Sequence, residues 1–98
     1  MAFSYALHTA ENEKILAITD IPLVGKSFEE GELQLNVTEQ FYGSDRCSRE
    51  EAIRLIKGST IINAVGKDIV RLLIDENIIE REMVLFVKGV PHAQVVLL

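Results

Sequence analysis

Few residues in this chain can do chemistry, and the most informative of them lie in Gly89-Val90-Pro91-His92-Ala93-Gln94. Gly89 permits unusual backbone angles and Pro91 fixes its own φ. The segment therefore reads as a stiff loop presenting His92, a titratable imidazole, and Gln94, an amide with both donor and acceptor. Rigid polar loops after a core strand are common places for ligand or partner contacts. The competing reading is a tight turn whose imidazole and amide satisfy local backbone groups.

The other candidates carry less. Val24-Gly25-Lys26-Ser27 imitates the tail of a phosphate-binding loop, but Asp20 stands where the first glycine of that motif belongs. Pro22 interrupts the segment and no convincing helix follows, so the phosphate-loop reading is rejected. Cys47 precedes a helix start, an environment that can lower a thiol pKa, yet no histidine lies near it in sequence and no second cysteine exists. It reads as a structural cysteine. His8 and His92 are far apart and show no metal-ligand spacing, so no metal and no cofactor are expected, and His8 reads as a surface residue ending a strand. Glu29-Glu30 and Glu50-Glu51 are adjacent carboxylates that diverge on a strand or helix and share no site.

These residues need elements to position them. Phe3 to His8 alternates and reads as a strand. Lys14 to Thr19 reads as its hairpin partner, stopped by Asp20-Ile21-Pro22. Leu23 to Gly31 reads as a loop. Leu33, Leu35 and Val37 alternate with polar neighbours as a half-buried strand, and Phe41 to Asp45 is a second loop. Ser48-Arg49-Glu50-Glu51 is a capping box that starts a helix over residues 49–57, stopped by Gly58. Ile62, Val65, Ile69, Leu72 and Leu73 share one helical face, which predicts a second helix from Ser59 or Thr60 to Asn77. Gly66 lies inside it, so either the helix breaks near Asn63 to Gly66 or another backbone approaches closely there. Met83 to Val87 is a strand-type run, and Val95 to Leu98 is a last strand, paired within the sheet or used across a dimer interface. The expectation is an α+β fold in the order β-β-β-α-α-β-β, with a mainly antiparallel sheet and two helices packed on one face.

The chain has 98 residues, which suits one domain over residues 1–98 and allows roughly 65% of the unfolded surface to be buried. A lone cysteine excludes a disulfide scaffold, and no apolar run approaches the ~18 residues of a membrane span. The N-terminal residues carry no basic region of a signal peptide, so a cytoplasmic setting is expected. The formal net charge is −5 and lies in the first half: residues 1–40 hold two lysines against seven carboxylates, and the rest is balanced at eight each. An acidic half disfavours bulk DNA binding, although a small basic patch in the second half is compatible with these numbers.

The strings L-V-G-K-S-F-E-E-G-E-L, E-Q-F-Y-G, N-A-V-G and G-V-P-H-A-Q, taken together, resemble the archaeal domain of unknown function 424. The resemblance spans about Lys14 to Gln94. Departures are small: Ser44 to Cys47 lacks a second glycine, Asn77 to Ile79 lacks one too, and the tail after Gln94 is apolar. The resemblance implies an archaeal cytoplasmic protein and brings no activity with it. Its strings fall on the turns of the chain, which predicts that Lys26, Phe41, Tyr42 and Asn63 gather with Gly89, Pro91, His92 and Gln94 in one binding site.

Two functions remain. The preferred one is a small non-catalytic binding or adapter module, in an RNA–protein or translation-linked assembly, monomeric or homodimeric, with protein or ribonucleoprotein partners and no membrane. The alternative is a small enzyme with His92 as general acid or base, Glu39 or Asn63 orienting it and Lys26 stabilising negative charge.

Overall fold

The computed structural model describes residues 1–97, and Leu98 lies outside the described residues. The chain opens as expected, with a hairpin of β1 (Phe3–Ala10) and β2 (Glu13–Asp20) paired through all eight positions. Pro22 then enters a single 3-10 turn over Ile21–Leu23, where its missing N–H breaks no ladder. The segment read as a loop contains β3 (Ser27–Glu30), which pairs with β4 (Leu33–Asn36) as a separate two-stranded hairpin.

The second predicted loop also holds structure. It forms a one-turn helix α1 (Glu39–Tyr42), capped by the Thr38 hydroxyl, and a short strand β5 (Asp45–Cys47) on the outer edge of β1. The capping box is present as read: the Ser48 hydroxyl accepts from the Glu51 amide, and the Glu51 carboxylate accepts from the Ser48 amide. It starts α2 (Arg49–Lys57).

The predicted second helix is corrected. Its first third is a strand, β6 (Ile61–Val65), and only Lys67–Asp75 form a helix, α3. The apolar positions fit both periods, and pairing decided. β6 lies between β2, which it joins in parallel, and β8, which it joins antiparallel. Gly66 is the break itself. Its φ is +125°, and a Cβ there would collide with the Asp20 carboxylate. Asp20 comes close because its two oxygens accept from the amides of Asp68 and Ile69 at 3.0 Å each. The end of β2 thus caps a helix nearly fifty residues away in sequence.

The C-terminal segment holds a second correction. β7 (Leu85–Val87) and β8 (Val90–Val96) form a hairpin, so Val90 to Gln94 are strand rather than loop. The turn is only Lys88-Gly89, both at positive φ (53° and 78°), a pair of angles that matches the twist of a hairpin. Pro91 is tolerated because the β6–β8 ladder ends one pair earlier, at Val65–His92. The tail through Val96 is paired in the sheet, with Val95 buried and Val96 exposed.

The large sheet has the order β5-β1-β2-β6-β8-β7 and is antiparallel except for β2–β6. One face carries Phe3, Leu16, Ile18, Ile62, Ala64, Ala93 and Val95 and packs with α2 and α3. The other carries Ala17 and Val65 and lies against Leu35 of the small hairpin, Val37 just after it and Tyr42 of α1. The coarse α+β reading with a mainly antiparallel sheet stands. The element order does not, because the sheet is covered on both faces and gains strands at residues 45–47 and 61–65. Among the described residues no helix is long and apolar enough to cross a membrane.

Candidate functional site

Period-two geometry aims alternate residues of β6 and β8 away from the helices. Asn63 stands opposite Gln94, and Val65 stands opposite His92, all on the hairpin side of the sheet. α1 adds Phe41 and Tyr42 from above.

Asn63 joins two of them. The Tyr42 hydroxyl donates to Asn63 Oδ1 at 2.6 Å, and His92 Nε2 lies 3.1 Å from the same oxygen. A carboxamide oxygen only accepts, so His92 carries its proton on Nε2 here and leaves Nδ1 as the acceptor. Burial lowers the His92 pKa below its usual value of 6.5, which favours the neutral ring. Tyr42 is 3% exposed, and burial pushes its hydroxyl up to about 12, so it remains a donor throughout the physiological range.

A second contact flanks the first. His8 Nε2 donates to the Phe41 carbonyl at 2.7 Å, and the two rings stack at 4.9 Å with an interplanar angle of 7°. Phe41 also meets Tyr42 edge-on at 5.0 Å. A chain of contacts therefore runs His8, Phe41, Tyr42, Asn63, His92 across β1, α1, β6 and β8. Close by on the same face, two buried hydroxyls bond to backbone: Ser4 donates to the Gly43 carbonyl and Thr19 to the Val65 carbonyl, both at 2.8 Å.

A family model described as "Protein of unknown function (DUF424)" matches residues 8–98. The chain belongs to this family. Among solved structures it is similar to an uncharacterized conserved protein from Methanopyrus kandleri, at 21% identity and a TM-score of 0.84, covering 100% of this chain and 93% of that one. At that identity the likeness shows the fold alone. A search of curated proteins gives no match.

In this DUF424 chain the expected gathering is met in part. Tyr42, Asn63 and His92 are directly bonded, Phe41 borders them, and Gln94 is exposed opposite Asn63. Pro91 is buried, one position along β8 from His92, so its ring belongs to the opposite face. Gly89 sits exposed at the tip of the β7–β8 turn. Lys26 is exposed at the base of the small hairpin, where its backbone bonds to Leu23 and Val37, and none of the described hydrogen bonds joins it to His92. Glu39 is likewise exposed in the first turn of α1 and has no described bond to His92. Among the described hydrogen bonds, the one that holds the His92 ring runs to Asn63.

Sequence reasoning missed His8, read as a surface residue at a strand end. It is half-buried, and β1 runs on to Ala10. The available signal was alternation: His8 falls in phase with Ser4, on the face opposite Phe3. Cys47 is buried as a structural cysteine would be. Burial and the nearby Glu51 push its thiol up to about 11, which removes its nucleophilic form at neutral pH. Among the described residues no group of three or more His, Cys, Asp or Glu is placed to hold a metal ion.

Proposed function

We propose that this DUF424 protein is a small non-catalytic binding module of the archaeal cytoplasm. It holds a protein partner, within a ribonucleoprotein assembly, through the surface where Gln94 and the edge of His92 meet α1. The single observation that supports this reading is the shared acceptor. Tyr42 and His92 both bond to Asn63 Oδ1, so the polar groups of the site hold one another in place. A surface fixed in this way is pre-organised for recognition, because little side-chain freedom is left to lose when a partner docks. Gln94, exposed beside it, offers a donor and an acceptor to that partner.

The test is affinity purification of the tagged chain from an archaeal extract, with and without nuclease, against Gln94→Arg and His92→Ala. Gln94 is exposed, so its variant disturbs the surface without disturbing the fold. A protein partner that survives nuclease and is lost with either variant is the expected result. Recovery of the chain alone in every sample contradicts the proposal.

A further inference from the structure

The opposite side of the β7–β8 hairpin holds a feature that the Asn63 network does not use. α3 and β7 enclose an open groove of about 360 Å³. This lies within the ~300–1,000 Å³ range of small-ligand sites. Its floor is apolar, from Val70 and Ile74 of α3, Val84 just before β7 and Pro91 of β8. Three cations line it: Lys67 and Arg71, one turn apart on α3, and Arg81 from the 3-10 turn that follows. Asp75, the next residue of the α3 stripe, is the one carboxylate among the lining residues. On the β7 side stands Phe86, 56% exposed on an edge strand.

This pattern is local and runs against the chain as a whole, whose net charge is −5. A soluble domain gains nothing in stability from an exposed phenylalanine ring, and an edge strand bearing one invites unwanted pairing. Two guanidinium groups and an ammonium beside an exposed ring and a proline match a flat base joined to a phosphate. The ring offers a stacking face, and the forked guanidinium groups offer paired donors to phosphate oxygens. An acidic peptide would meet the cations but would leave the ring without its natural counterpart.

We propose that this groove is a nucleoside-phosphate subsite, in which a base stacks on Phe86 against Pro91 while Arg71, Arg81 and Lys67 hold the phosphate. The ligand chemistry can come from a free mononucleotide or from one unpaired residue of single-stranded RNA.

The experiment uses the full chain. Fluorescence anisotropy follows a labelled single-stranded RNA at two salt concentrations, and calorimetry follows adenosine monophosphate. The variants are Phe86→Ala, Arg71→Gln combined with Arg81→Gln, and Lys57→Gln on α2 as a control, each checked by thermal melting. Phe86→Ala is expected to weaken binding by roughly 5- to 150-fold, the range for losing one base–aromatic stack. The double arginine variant is expected to weaken binding and to flatten the salt slope by about 0.7 for each phosphate that is no longer neutralised. Lys57→Gln is expected to bind as the wild type does. Binding of adenosine monophosphate as tight as that of RNA assigns the site to free nucleotide, and binding of RNA alone assigns it to a single strand. The proposal is overturned if neither ligand binds at about 100 µM, the weak end of non-specific association. It is equally overturned if the folded variants bind like wild type, or if poly-glutamate displaces RNA as well as unlabelled RNA does.

Discussion

Ile62 and Asn63 are neighbours on β6 and face opposite sides of the same sheet. Ile62 has no exposed surface and sits among Leu16, Ile18, Ile69 and Leu73 under the helices. Asn63 is half-buried and holds Tyr42 and His92 beneath α1. The helix side is mostly apolar and close-packed, and its buried carboxylate, Asp20, is taken up in capping α3. The hairpin side buries Ala17, Leu35, Val37 and Val65 but also admits hydroxyls, an amide and an imidazole, each with a partner. Desolvating such groups cancels most of what their hydrogen bonds return. On the helix side the buried carboxylate serves one helix end, whereas on the hairpin side Tyr42, Asn63 and His92 from three separate elements bond to one another, and this is why the candidate site belongs there.

The largest expected effect comes from breaking the helix face. Ile62→Ala leaves a cavity that the packed sheet cannot close, at a cost of about 2–5 kcal/mol. For a domain of this size that is a fall in melting temperature of roughly 10 °C or more, measured by calorimetry. A loss below about 1 kcal/mol would mean that the helix side is not the close-packed core described here.

A smaller effect follows from Asn63→Ala. It strands a buried Tyr42 hydroxyl and removes the His92 partner, at a cost of about 1–3 kcal/mol. Tyr42→Phe removes the hydroxyl along with its need for a partner, so it costs less, about 0.5–1.5 kcal/mol. In the double variant the two losses are expected to fall short of additive, because they share one hydrogen bond. Strict additivity by denaturant titration would show that the bond contributes nothing.

The smallest effect sharpens the contrast by pH. His92 titrates below 6.5 in the folded chain because burial disfavours its charge. A lowered folded value means that His92 contributes stability above pH 6.5, which is lost as pH falls through the folded value. Asp20 has the opposite sign. Burial raises its pKa against the pull of the two α3 amides, so its contribution belongs to acid pH and is lost as pH rises through the raised value. Melting the wild type against His92→Gln below pH 6.5 isolates the histidine: the wild type is expected to lose stability on acidification more steeply than the variant. Parallel profiles would remove His92 from the network.

Much of this architecture was legible in the chain, and the exceptions have physical causes. The β1–β2 hairpin and the Ser48–Glu51 capping box rest on local signals, and both are present. Residues 60–77 failed as one helix because Ile62, Val65 and Ile69 satisfy a helical period while residues 61–65 also satisfy a strand. Only the two neighbouring strands, distant in sequence, decide between them. The G-V-P-H-A-Q segment looked like a loop because Gly89 and Pro91 punctuate it. The glycine does make the turn, but the proline pairs with Phe86 of β7 at a position that the β6–β8 ladder does not reach. At the site, His92, Asn63, Tyr42 and Phe41 were legible as polar or aromatic residues at element ends. Lys26 and Glu39 were equally polar but are only exposed, and His8 was hidden because nothing local announces a bond to a carbonyl thirty-three residues away.

The most direct measurement is the nitrogen-15 NMR titration of the His92 ring in the wild type and in Asn63→Ala. The shared-acceptor geometry requires a neutral ring protonated on Nε2 with a pKa below 6.5, and a shift of that pKa or a change of tautomer when Asn63 is removed. A His92 ring that is protonated on Nδ1, or that titrates at or above 6.5 and ignores the loss of Asn63, would contradict the account.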